Sequence, residues 1–214
     1  MPHLPHLPHL LHWQFGTILP WLDLLGIAIF AITGALAATR RGDIVTAAFF
    51  ALVTGVGGGS VRDLLIGAPV FWMHDPYVAL VCLAMAVLVW VTPGRWWQGS
   101  ALAWLDAVGL AAYAVFGAAK ALDFEIPAVP AALMGVITAC VGGIIRDVLA
   151  GQPSILLRAE LYVTVAGVAA GLFVALVSGG VSEAAAAGIA AVAGFALRAA
   201  AIRWGIALPY RGER

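Results

Sequence analysis

The chain has 214 residues, 63% of them apolar and only 10% charged, with a mean hydropathy of +1.02. Soluble domains average about 45–50% apolar and about 25% charged residues, so an ordinary soluble domain is excluded, and so is a disordered chain. Eleven basic residues balance eleven acidic ones, which leaves no basic surface for nucleic acid and points to an all-α integral membrane protein.

Residues 1–16 open with Pro-His-Leu repeats carrying His3, His6, His9 and His12. The prolines disfavour helix and there is no basic n-region of a secretory signal. This stretch is read as an extended arm, either a solvated tail or a metal-binding one. Seven segments then reach the roughly 20 apolar residues that a spanning helix needs. They run from Leu19 to Thr39, Ile44 to Ile66, Pro76 to Thr92, Leu102 to Ala121, Pro127 to Ala150, Ile155 to Val177 and Ala184 to Ile206. Glycine and proline mark the breaks, as in Gly67-Ala68-Pro69, Pro93-Gly94 and Gly151-Gln152-Pro153, since both stop helices. Arg40, Arg41, Arg95, Arg158, Arg198, Arg203, Arg211 and Arg214 fall on one side and Lys120 alone on the other. The positive-inside rule then predicts an outside N-terminus and a cytoplasmic C-terminus, in a bacterial inner membrane.

The chain repeats at about 83–84 residues. Trp21-Leu22-Asp23 aligns with Trp104-Leu105-Asp106, Gly26 with Gly109, and Gly34 with Gly117. Thr54, Gly58, Gly59, Arg62, Asp63, Gly67 and Pro69 align with Thr138, Gly142, Gly143, Arg146, Asp147, Gly151 and Pro153. Each copy holds three helices, residues 17–98 and 99–180, and residues 181–214 add a seventh helix and a short tail. Three is odd, so the second copy enters the membrane from the opposite side. Two inverted three-helix repeats place a transport site near the midplane, where the repeats meet.

Within the second and fifth helices, Gly57, Gly58, Gly59, Gly142 and Gly143 interrupt apolar sequence. Each interior glycine costs a helix about 1 kcal/mol. Either both helices kink or unwind here and offer carbonyls to an ion, or the glycines let helices pack closely. Thr54 and Thr138, one turn earlier, add hydroxyl ligands. Asp23, Arg62, Asp63, Asp106, Arg146 and Asp147 are intramembrane charges, which must be paired, snorkelling or wet. Depth predicts two symmetric pairs, Asp23 with Arg62 and Asp106 with Arg146. Asp63 and Asp147 are expected to point away from the arginines beside them, since adjacent helix residues do not share a face. The pairs either hold helices together or flank an ion path. Lys120, the sole lysine, is read as a snorkelling helix-end residue or as a gate or voltage-sensitive charge.

No catalytic constellation, cofactor motif or metal-ligand spacing is found. Cys82 and Cys140 lie in apolar runs, and the Gly-rich block lacks the lysine of a phosphate loop. Tryptophans and tyrosines, Tyr162 among them, gather at segment ends as in interfacial belts.

A duplicated Asp-x-x-Gly, Gly-Gly-x-x-Arg-Asp and Gly-x-Pro unit followed by a seventh helix resembles the prokaryotic trimeric intracellular cation channels, from about Trp21 to Ile206. The resemblance implies a homotrimer in membrane lipid. Each protomer would have its own pore for monovalent cations, chiefly potassium with sodium also admitted. The pore would lie among the glycine-kinked second and fifth helices. Lys120 is followed by Ala121 and Leu122, unlike the Lys-Glu-Val of animal members, and Val141 stands where the first block has Gly57. The same bacterial family has also been labelled a glycine transporter. A carrier of a small amino acid, with Arg62, Asp63, Arg146 and Asp147 as its ligands, is the alternative.

Overall fold

The structure, a computed structural model, describes residues 19–39, 42–97, 100–154 and 161–207. The Pro-His-Leu arm, Arg40, Arg41, Arg158, Arg211 and Arg214 lie outside the described residues. Seven α-helices are described: α1 (Leu19–Thr39), α2 (Ile44–Leu65), α3 (Pro76–Val91), α4 (Ala101–Asp123), α5 (Ala128–Leu149), α6 (Val163–Ser178) and α7 (Glu183–Trp204). Four of them, α2, α4, α5 and α7, are 22 or 23 residues long and apolar enough to cross a bilayer. The two third helices of the repeats, α3 and α6, have 16 residues each. At 1.5 Å per residue that is about 24 Å, short of the ~30 Å hydrocarbon core.

The predicted sixth segment is corrected at its start. The helix begins at Val163 and not at Ile155, with a bend at Leu161–Tyr162, and residues 155–160 lie outside the described residues. A hydropathy window averages Arg158 and Glu160 into an otherwise apolar stretch, whereas the backbone turns before the helix begins.

Local chemistry explains the helix ends. Asp43 caps α2 by accepting from the Thr46 N–H at 2.8 Å, and those amide hydrogen bonds hold its carboxyl below the usual range. Pro76 opens α3, where its missing N–H costs nothing, after Asp75 accepts from Tyr77. The two Gly-x-Pro motifs close α2 and α5 identically. Gly67 and Gly151 take left-handed φ of 72° and 61°. Ala68 and Gln152 then donate back to the carbonyls of Asp63 and Asp147 at 2.8 and 2.9 Å. This is a Schellman closure, which favours glycine at the left-handed position, and the following proline prevents the helix from resuming.

The fold is an inverted repeat about a pseudo-two-fold axis, and small residues build it. A Cβ on Gly58 would overlap the Thr138 carbonyl, and one on Gly142 would come within 2.6 Å of the Thr54 carbonyl. Position rises along α2 as it falls along α5, so the two helices cross antiparallel with equivalent contacts exchanged. The first helices of the repeats repeat the pattern. Gly26 lies under the Tyr113 ring and Gly109 under the Phe30 ring, and the two rings meet edge to face at 5.2 Å. Phe30 and Tyr113 are themselves alignment partners. Apolar collapse does not drive helices together in lipid, so van der Waals packing of this kind must do it. Outside the repeats, α7 packs on α6 and α4.

The expected unwinding at the glycines is not seen. Both α2 and α5 run unbroken through Gly55–Gly59 and Gly142–Gly143. Close approach accommodates these glycines inside continuous helices, so no break is needed.

Candidate functional site

One turn beyond the crossing, on opposite sides of it, sit two buried charge clusters. The first gathers Arg62 and Asp63 from the end of α2 with Lys120 from the end of α4. Arg62 Nε and Nη2 both reach Asp63 Oδ1 at 2.8 Å, and Lys120 Nζ reaches the same oxygen at 2.8 Å. The other oxygen, Oδ2, accepts from the Phe71 N–H at 3.1 Å. That bond anchors the 3-10 turn Phe71–Met73, and Trp72 Nε1 fastens it again by donating to Ser60 Oγ at 3.0 Å. The Phe71 ring is thereby laid over Gly59, with Arg62 and Lys120 at 5.9 and 5.8 Å from its centroid.

The second cluster gathers Arg146 and Asp147 from the end of α5 with Asp106 from α4. Arg146 Nη1 meets Asp106 Oδ1 at 2.8 Å. Its Nε and Nη2 meet Asp147 Oδ1, both at 2.9 Å. Tyr162 lies over Gly143, and Arg198 of α7 stacks on the Tyr162 ring at 5.3 Å. Desolvated charges of this kind are tolerated in a membrane when paired and turned to the protein interior.

The clusters are equivalent in the repeat but opposite in stoichiometry. In the first, two cations share one carboxylate. In the second, two carboxylates share one guanidinium. Two differences make the contrast: Lys120 aligns with Ala37, so only one copy carries the lysine, and Asp106 pairs with its arginine whereas its alignment partner Asp23 does not.

The expected pair of Asp106 with Arg146 is present. The expected pair of Asp23 with Arg62 is not: Asp63 holds Arg62, and the Tyr113 hydroxyl donates to the Asp23 backbone carbonyl at 3.4 Å. Nor do Asp63 and Asp147 point away from their neighbours. An arginine side chain is long enough to fold back along its helix and bind the next residue, so the face rule that governs short side chains does not constrain it. Lys120 does not snorkel, being only 2% exposed, and Arg198, counted above as a cytoplasmic charge, is equally buried. Tyr162, grouped above with the interfacial aromatics, is 1% exposed.

Thr54 and Thr138 are both buried at the crossing, where Gly34 and Gly117 make room for their side chains. They differ in one respect. Thr138 donates to the Met134 carbonyl at 2.6 Å, whereas the Thr54 hydroxyl has no hydrogen-bond partner among the described residues. Phe71, Tyr162 and Arg198 are the site residues that sequence reading missed. The one sequence signal that could have found Arg198 is the rarity of an arginine inside an Ala-rich helix.

The sequence model of a family described as Glycine transporter matches residues 20–93 and 103–178, the two repeats. The inner membrane protein YadS of Escherichia coli is 40% identical over 204 residues, covering 88% of this chain and 94% of its own. A membrane protein of Vibrio cholerae is 39% identical over 201 residues, covering 90% and 82%. Among solved structures, the trimeric intracellular cation (TRIC) channel orthologue from Rhodobacter sphaeroides superimposes with a TM-score of 0.83. It is 43% identical, with 89% of this chain and all of the other covered. A prokaryotic TRIC channel crystallised in 0.5 M KCl gives a TM-score of 0.80 at 27% identity, over 88% of this chain and 97% of the other.

Proposed function

Because this chain belongs to the family of integral membrane proteins that includes the prokaryotic TRIC channels, described by its sequence model as Glycine transporter, we propose that it conducts monovalent cations, chiefly potassium. The 43% identity to the Rhodobacter sphaeroides channel over that protein's whole length carries this reading. The pathway runs between α2 and α5 in each protomer of a homotrimer. Gly57, Gly58, Gly59, Gly142 and Gly143 are its hinge surface, and Thr54 and Thr138 are its ligands.

The geometry supports a gated path. The crossing is closed by contact between Gly58 and Thr138 and between Gly142 and Thr54, so conduction requires α2 and α5 to part there. Parting exposes two carbonyls and the uncommitted Thr54 hydroxyl, the oxygen ligands that replace a cation's hydration shell in a filter. The charge clusters stand at the two entrances. Asp23 adds a carboxylate near the Arg62 end, and Lys120 is the charge whose release from Asp63 opens that end. A charge crossing 100 mV gains ~2.3 kcal/mol, enough to bias such a release. The arginine distribution supports an outside N-terminus in a bacterial inner membrane, the location named for YadS.

The test is reconstitution in a planar bilayer under a tenfold potassium chloride gradient. Unitary currents reversing near the potassium potential, about 59 mV, support the channel. The family description favours a second reading, a carrier of glycine. A silent bilayer with accumulation of labelled glycine in vesicles would replace the channel by that carrier, with Arg62, Asp63, Arg146 and Asp147 as substrate ligands.

A further inference from the structure

Arg198 is a buried cation on the one helix that stands outside the repeats, and the conduction reading makes no use of it. Its guanidinium carbon lies 5.3 Å from the centroid of Tyr162. Tyr162 in turn fills the recess left by Gly143: a Cβ there would meet the Tyr162 hydroxyl at 2.9 Å, Arg146 Nη2 at 3.6 Å and Asp106 Oδ1 at 3.9 Å. The Tyr162 hydroxyl therefore sits at Gly143 beside the Arg146–Asp106 pair, and the arginine on α7 lies against the Tyr162 ring.

The other end of the pathway is built in the same way from unrelated positions. Phe71 covers Gly59, and a Cβ on that glycine would meet Phe71 Cε1 at 2.7 Å. Phe71 and Tyr162 are not alignment partners, so the duplication does not explain their common placement over the second glycine of each block. The cations differ too. At the Arg62 end they belong to the cluster itself. At the Arg146 end the cation is delivered by α7. Gly194, one turn before Arg198 and on the same face, brings α7 against α6 and α4, since a Cβ there would come within 2.8 Å of Ala169 and 3.5 Å of Ala111. That contact sets the height of Arg198 on the Tyr162 ring.

We propose that Arg198 is a positioning residue that holds Tyr162 as an aromatic lid over Gly143, so that α7 determines whether the Arg146 end of the pathway is open. A desolvated guanidinium over an aromatic face is among the stronger contacts of its class, and its loss frees the lid without touching the crossing. The inference rests on the channel reading for its electrical test and is independent of it for its chemical one.

The electrical test compares the full-length protein with Arg198→Leu, Arg198→Lys, Tyr162→Leu and the Arg198→Leu/Tyr162→Leu double variant in planar bilayers. Arg198→Leu and Tyr162→Leu should each raise open probability by about tenfold to thirtyfold. The double variant should go no higher than the larger single, and Arg198→Lys should fall between Arg198→Leu and the unsubstituted protein. The unitary current of Arg198→Leu should not change. An unaltered open probability in Arg198→Leu, a change confined to its unitary current, or effects that multiply in the double variant would overturn the lid. If Arg198→Leu does not fold, Arg198→Lys and Tyr162→Leu carry the same comparison. A silent unsubstituted protein refutes the channel and not the lid. In that case the lid is read from Cys140, buried one turn before Gly143, by its rate of modification with a water-soluble maleimide in a Cys82→Ser background. Faster modification in Arg198→Leu and Tyr162→Leu supports the lid, and equal rates in all variants overturn it.

Discussion

Substituting alanine for Gly58 or Gly142 tests the antiparallel crossing on which the fold and the proposed path both depend. A methyl on Gly142 meets the Thr54 carbonyl at 2.6 Å, and ordinary contact begins at 3.4 Å, so α2 and α5 must part by about 0.8 Å. The Gly58 methyl overlaps the Thr138 carbonyl and demands more. Both obstacles are backbone, so no side-chain rotation relieves them. Overpacking of this kind costs about 1–3 kcal/mol, or a melting temperature lower by roughly 2–4 °C per kcal/mol for a chain of this size. Because the two contacts are exchanged across one axis, separation forced by the first methyl makes room for the second. The Gly58→Ala/Gly142→Ala double variant should therefore cost at least about 0.5–1 kcal/mol less than the two singles added together, the coupling expected of neighbouring sites. Gly188→Ala is the control, because nothing lies within 4 Å of that position and alanine favours helix by up to ~1 kcal/mol. Thermal melts of the purified protein in one detergent give all four values. If Gly58→Ala and Gly142→Ala are as benign as Gly188→Ala, the crossing is wrong. If the double is strictly additive, the exchanged contact is wrong.

Asp63→Asn leaves Arg62 and Lys120 buried without their carboxylate and should cost about 3–5 kcal/mol; adding Lys120→Met should recover part of it in the same melts. Thr54→Val removes a hydroxyl that has no partner among the described residues, so it should leave the melting temperature within about 2 °C, near-neutral by the usual size of such changes, while lowering unitary conductance; a lowered melt with unchanged current would refute its role as a ligand. Gly67→Ala and Gly151→Ala force left-handed φ on a residue with a side chain and should each destabilise by about 1–2 kcal/mol, with equal losses at the two equivalent turns.

Features held within one stretch of chain are legible in the amino-acid sequence. The apolar runs, the Gly-x-Pro stops and the duplication by three helices lead directly to an inverted seven-helix membrane fold, because helix ends and hydropathy depend on neighbours in sequence. The pair of Asp106 with Arg146 is also within reach, since helix order places both at one depth. Its counterpart is not. Depth alone puts Asp23 beside Arg62, but Arg62 and Lys120 both reach Asp63 instead. That choice depends on three helices meeting. The glycine blocks illustrate the same boundary: their cost to a helix is local, but whether they break it or bury it against another backbone depends on what lies across the crossing. Arg198 and Tyr162 lie further still from sequence reading. One reads as a cytoplasmic charge and the other as an interfacial aromatic, because in isolation each belongs at a membrane surface. Tertiary packing brings both inside: α7 lies against α6 and α4, and the Arg198 guanidinium rests on the Tyr162 ring.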